Sequence, residues 1–124
     1  MTGLTPFSIE SSEQFERSFK KLVKATGQHL VNPVTLVLEQ LIDDPYPPSA
    51  RQEPLPSRFP LPNNWTFHKL ELKAGRGASG QIRLMYLVDA EARIIRLVWL
   101  YSHEQFAKRP SDPDLRNVLK AVID

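Results

Sequence analysis

Arg83 stands between Ile82 and Leu84 in the run QIRLMYLV, a guanidinium set into a stretch that otherwise reads as a buried strand. A strand turns alternate side chains to opposite faces, and an unpaired charge is costly to bury, so this side chain must meet solvent, an acid or a phosphate. In the preceding run Lys69, Glu71 and Lys73 recur at period two and therefore share one face. Arg83 paired with Glu71 or Glu104 is a structural bridge; Arg83 facing a phosphate is a clamp, because its planar fork of donors grips two oxygens together. Gly75, Gly77 and Gly80 would let backbone approach a phosphate, but no G-K-[ST] follows them, so they read as a flexible hairpin with Arg76 at its tip available to RNA. Trp65, Phe67, Tyr86 and Trp99 are of the type that stacks bases, although aromatic residues at strand spacing are more often core.

Composition narrows the chemistry. The 124 residues contain no cysteine, which removes disulfides, thiolate metal sites and thiol catalysis and suits a reducing compartment. His29, His68 and His103 are scattered, so neither a metal nor any other cofactor is expected. His68 alternates with Leu70 and Leu72 and reads as a core histidine, and His29 as a loop residue. The opening MTGLTPFSIE lacks the cationic and apolar regions of a signal peptide, and no apolar run reaches the roughly 18 residues of a membrane span, so a soluble cytoplasmic protein is expected. The net charge is only +2, but residues 51–109 hold ten Lys and Arg against five Asp and Glu. That concentration of cations on the strand region suits RNA or an acidic protein; lysines guarding strand edges would read the same way.

The elements that position these residues follow from periodicity. At this length the chain is expected to form a single domain, residues 1–124. A short strand over 7–10 is followed by Ser11 and Gln14 as a capping box. Phe15, Phe19, Leu22 and Val23 then make an amphipathic helix that Gly27 ends, with Lys20, Lys21 and Lys24 on its outer face as a solvated surface or a ribosomal RNA contact. Asn32-Pro33 reads as a cap and first turn ahead of Val34, Val37, Leu38, Leu41 and Ile42. Seven prolines between 45 and 62 predict a long loop without regular structure. Strands are predicted over 65–73, 81–88 and 93–102, joined by hairpins and hence antiparallel, and Asp112-Pro113 opens a last amphipathic helix. The expected architecture is α+β, a helical hairpin packed on a small antiparallel sheet, in the order β-α-α-β-β-β-α.

That order, with the segment LELKAGRGASGQIRLMYLVD, resembles the RelE/ParE superfamily of bacterial toxins, whose middle strand has the form G-x-x-R-L-x-Y; Gly80, Arg83, Leu84 and Tyr86 fill it. The ending LYSHEQFAKRPSDPDLRNVLKAV is similar to HigB- and YoeB-type relatives. The resemblance implies the toxin half of a toxin–antitoxin system: an endoribonuclease that cleaves messenger RNA on the ribosome through the ribose 2′-hydroxyl and so inhibits translation. It implies Arg83 as phosphate clamp and Lys69 beside it, with Lys73, Arg76 and the helix lysines as further RNA contacts. Glu71 occupies a position where RelE-type enzymes have a second basic residue, so it either neutralises the site or serves as the base. His103 matches a catalytic histidine, a residue type suited to general acid or base work near neutral pH, Tyr101 is a nearby hydroxyl, and Glu53 in Glu53-Pro54-Leu55 matches a basic glutamate. The implied partners are a cognate antitoxin, which would cover the groove with an acidic segment or displace the last helix, and the ribosome with its mRNA; no membrane is implied. The ParE branch, which blocks gyrase without RNA chemistry, and a noncatalytic member are the alternatives.

Overall fold

The computed structural model describes residues 5–124. A five-stranded sheet has the spatial order β1-β5-β4-β3-β2, with β1 (Ser8–Ser11), β2 (Ala50–Gln52), β3 (Thr66–Lys73), β4 (Gln81–Asp89) and β5 (Ile94–Ser102). β1 runs parallel to β5, and every other pairing is antiparallel. Helices α1 (Glu13–Thr26) and α2 (Val31–Asp43) form the hairpin, and α3 (Asp112–Ile123) ends the chain.

The predicted α+β order is present, with one strand more than expected. The proline-rich segment contains β2, because Ala50, Arg51 and Gln52 lie between prolines and an edge strand needs hydrogen bonds on one side only. Local caps also differ from expectation. Ser12, not Ser11, caps α1, accepting from the Phe15 N–H at 3.0 Å. A 3₁₀ turn over Gln28–Leu30 runs directly into α2, so Asn32 lies inside its first turn and caps nothing, while Pro33 sits where its missing N–H is harmless. Ser111, not Asp112, caps α3.

The sheet is packed on both faces. Leu70, Ile82, Leu84, Tyr86, Val88, Ile95, Leu97 and Leu100 meet Phe15, Leu22, Leu30, Val34 and Leu41 of the hairpin layer. Phe67, Met85, Leu87, Val98 and Tyr101 meet Leu115 and Leu119 of α3. The α3 layer is thinner and leaves part of its face open.

A bulge in β5 decides what occupies that open part. Tyr86 pairs with Leu97 while Met85 pairs with Trp99, so Val98 is an extra residue and the alternation changes parity there. Ile95 and Leu97 face the hairpin; beyond the bulge Tyr101 turns to the other face, directly across from Arg83. The bulged backbone is satisfied from α1: Ser12 Oγ donates to the Val98 carbonyl at 3.3 Å, and Ser18 Oγ accepts from the Leu100 N–H at 3.1 Å.

Candidate functional site

Four segments deliver five charged side chains to the uncovered part of the α3 face. Lys69 and Glu71 come from β3, Arg83 from β4, Glu53 from the turn after β2, and Arg109 from the loop between β5 and α3. They line an open cavity of about 460 Å³ together with Pro54, Ala107 and Lys108. Counting Lys108, four cations against two carboxylates leave the lining positive.

Glu53 is at its centre. Its backbone N–H donates to the Phe67 carbonyl at 2.8 Å, continuing the β2–β3 ladder by one step and turning the side chain inward. The carboxylate is 6% exposed and both oxygens are engaged, Oε1 with Lys69 Nζ at 3.4 Å and Oε2 with Arg109 Nη1 at 3.1 Å. Arg109 Nη1 also donates to the Pro54 carbonyl, and Nη2 donates to Asp112 Oδ1 at 3.0 Å.

Arg83 is held more loosely. Its Nε lies 3.7 Å from Glu71 Oε1, an electrostatic contact too long for a hydrogen bond. Its Nη1 is buried and has no hydrogen-bond partner among the described residues. The Glu71 side chain is half exposed, so it can move aside for an anion.

Tyr101 is fully buried and its hydroxyl donates to the Lys108 carbonyl at 2.8 Å, pinning the loop that carries Arg109. Burial drives its phenol far above the ordinary range; the Glu53 carboxylate pushes the same way, against Arg83 and Arg109. His103 follows β5, its backbone N–H donating to the Gln81 carbonyl at 2.8 Å, which places it two steps along the ladder from the Arg83–Tyr101 pair. It is half-buried, its Nδ1 has no partner among the described residues, and it stands beside the cavity rather than in its lining.

A second depression of about 390 Å³ shares Arg83 and Glu71 with the first and continues past Lys73 and Arg51. Arg51, opposite Lys69 in the ladder, was hidden from sequence reading by the surrounding prolines. Arg109 was equally hidden, since only the fold brings it to Glu53. Arg76 is exposed at the β3–β4 connection, and Lys20, Lys21 and Lys24 are exposed on α1, in the layer across the sheet from the cavity. Among the described residues no group of His, Asp and Glu is arranged to hold a metal ion.

Two members of the strand motif serve the fold. A Cβ on Gly80 would lie 2.4 Å from the Gly75 carbonyl carbon, so glycine is required for the hairpin to close. Tyr86 is buried on the hairpin side and donates to the Pro45 carbonyl at 2.7 Å. Trp65 and Phe67 are buried as well, and Trp99 packs edge-on against Phe106, so these aromatic rings are engaged in the core. His68 is buried against the hairpin as expected, its Nε2 sharing a hydrogen bond with Thr66 Oγ1 at 2.7 Å.

No protein-family model and no curated protein matches the sequence. Solved structures do match by shape. RelE in the archaeal RelE–RelB complex from Pyrococcus horikoshii OT3 superposes with a TM-score of 0.52 at 15% identity, over 80% of this chain and 96% of that one. A mutant of the E. coli toxin RelE in the free state gives 0.50 at 14% identity, over 95% of each chain. With the helical hairpin on one face of the sheet and the charged cavity on the other, this chain has the RelE-like fold.

Proposed function

We propose that the protein is the toxin of a toxin–antitoxin pair and cleaves messenger RNA on the ribosome. The observation that carries this reading is the buried Nη1 of Arg83, which has no partner among the described residues, on a side chain that lines an open cationic cavity in a sheet of RelE-like form. A phosphate oxygen reaching it would satisfy a donor that no described protein group satisfies. The ribose 2′-oxygen attacks the adjacent phosphorus, a 2′,3′-cyclic phosphate forms, and the 5′-oxygen leaves with a proton. Arg83 and Lys69 stabilise the charge that grows on the phosphoryl oxygens, and Glu71, opposite Arg83 in the ladder, and His103, beside the cavity, divide the two proton transfers. Arg51, Lys73 and Arg76 continue the positive track along the RNA.

The partners on this reading are the ribosome and an antitoxin whose acidic segment covers the same cations; the neighbour solved as a RelE–RelB complex supports the second of these. Among the described residues no helix is long and apolar enough to cross a membrane. The place of action is the cytoplasm, where ribosomes are.

Induced expression tests the reading. The wild-type chain should arrest growth and leave transcripts with codon-phased ends. Arg83→Ala should lose about 10²–10³-fold in cleavage and relieve the arrest with an unchanged melting temperature. An Arg83→Ala protein that stays fully toxic refutes the clamp. One observation favours a noncatalytic relative instead: Lys69, Arg83 and Arg109 each already face a carboxylate. Intact transcripts with broken DNA would point to gyrase, and intact transcripts with intact DNA to a binding protein.

A further inference from the structure

Glu53 is a charge partner and not a free base, because its carboxylate is 6% exposed and faces a cation on each oxygen. Nor is Arg109 free to take a phosphate. Nη1 is committed to Glu53 and the Pro54 carbonyl, and Nη2 to Asp112 in the first turn of α3. The loop bearing Arg109 is itself fixed by the Tyr101 hydroxyl on the Lys108 carbonyl. What remains open is Lys69, a compact charge on a flexible four-carbon stem that by itself would sample many rotamers.

We propose that Arg109 and Glu53 form a brace, anchored on the β5–α3 loop, that holds the Lys69 ammonium beside Arg83 for an RNA phosphate. Arg109 is therefore a positioning residue that acts through Lys69. The inference rests on the reading that this cavity takes an RNA phosphate, and it goes beyond it by assigning Arg109, moving Glu53 from proton transfer to positioning, and tying the site to the foot of α3.

The test is a double-mutant cycle read by binding, with a short single-stranded 2′-O-methyl RNA that cannot be cleaved, at 0.15 M salt, where charges beyond about 8 Å are screened. Lys69→Met and Arg109→Met should each weaken binding, the first by about tenfold. The double variant should bind no more weakly than Lys69→Met alone, and Arg109→Lys should restore part of the loss. Equal, additive losses would make Arg109 a phosphate ligand and overturn the brace, as would an Arg109→Met protein with unchanged affinity. Glu53→Gln should keep the shape of the pH–rate profile for cleavage; loss of its acidic limb would restore Glu53 as the base and overturn the assignment. A wild-type protein that binds the RNA, gives the non-additive cycle and cleaves nothing refutes the endonuclease and leaves the brace standing. One that does not bind the RNA removes both.

Discussion

At the scale of single residues, burial separates the three histidines into different kinds of chemistry. His68 lies between the rings of Tyr46, 5.1 Å away, and Tyr86, 5.5 Å away, and burial lowers its pKa below the ordinary 6.5. Above pH 6.5 the ring is neutral in the folded and unfolded chains alike and adds no pH dependence. Below it the unfolded chain takes up a proton that the folded chain refuses, so the unfolded state binds more protons and stability falls as pH drops toward the lowered folded value. The melting temperature should therefore decline between pH 6.5 and 5.5, and His68→Phe, which keeps a ring in the stack, should flatten that decline. An identical decline in the variant would show that another group titrates. On the proposed reading His103, half-buried just after β5 with its Nδ1 unpartnered among the described residues, is the histidine beside the cavity that takes part in proton transfer, whereas His29 is exposed in the 3₁₀ turn between α1 and α2. Charged side chains divide in the same way: Arg96 is consumed by structure, donating to Glu10 at 2.8 Å and to the Val122 carbonyl at 3.0 Å and stacking on Trp65, whereas Arg83 keeps a donor unspent.

At the scale of elements, the bulge in β5 is the feature on which the cavity depends, and α1 sustains it. Ser18 is buried, accepts from the Leu100 N–H and donates to the Phe15 carbonyl, so one hydroxyl ties the helix to the strand just past the extra residue. Ser18→Ala leaves that buried N–H without a partner, a loss of about 1–3 kcal/mol that should lower the melting temperature on the order of 3–10 °C. Calorimetry on Ser18→Ala beside an exposed control on the same helix, Lys20→Ala, decides it; equal melting temperatures would mean that water or a relaxed strand supplies the bond. The same bulge marks the limit of what could be read from the chain. Strict alternation from Ile95 and Leu97 sends Tyr101 to the hairpin face, and no residue type announces the change of parity at Val98. The helices, the three central strands and the Lys69–Glu71–Lys73 face were legible because each rests on local periodicity and hairpin pairing. β2, Glu53 and Arg109 were obscure for the opposite reason: their arrangement is set by pairing between distant segments, and the prolines conceal a three-residue edge strand. The resemblance to a known motif marked Glu53 and the structure brings it to the cavity, but with both oxygens occupied.

At the scale of the whole molecule, the sheet separates the cations of the strand region from the lysines of α1. Arg51, Lys69, Lys73 and Arg83 surround two depressions that share Arg83, while Lys20, Lys21 and Lys24 project from α1 in the layer across the sheet. A single RNA strand lying in the depressions reaches the first group and not the second. Each phosphate neutralised on a single strand contributes roughly −0.7 to the slope of log affinity against log salt, so engagement of three or four of these cations gives a slope of about −2 to −3. Removing Arg51 and Lys73 together should flatten that slope by about 1.4. Replacing all three α1 lysines by alanine should leave it unchanged, although it removes more positive charge in total. Fluorescence anisotropy of a labelled single-stranded RNA between 50 and 300 mM salt, over which the Debye length shortens about 2.5-fold, distinguishes the two surfaces. If the α1 variant loses as much slope as the Arg51 and Lys73 variant, the RNA follows net charge and not the open sheet face, and the hairpin lysines then belong to the binding surface.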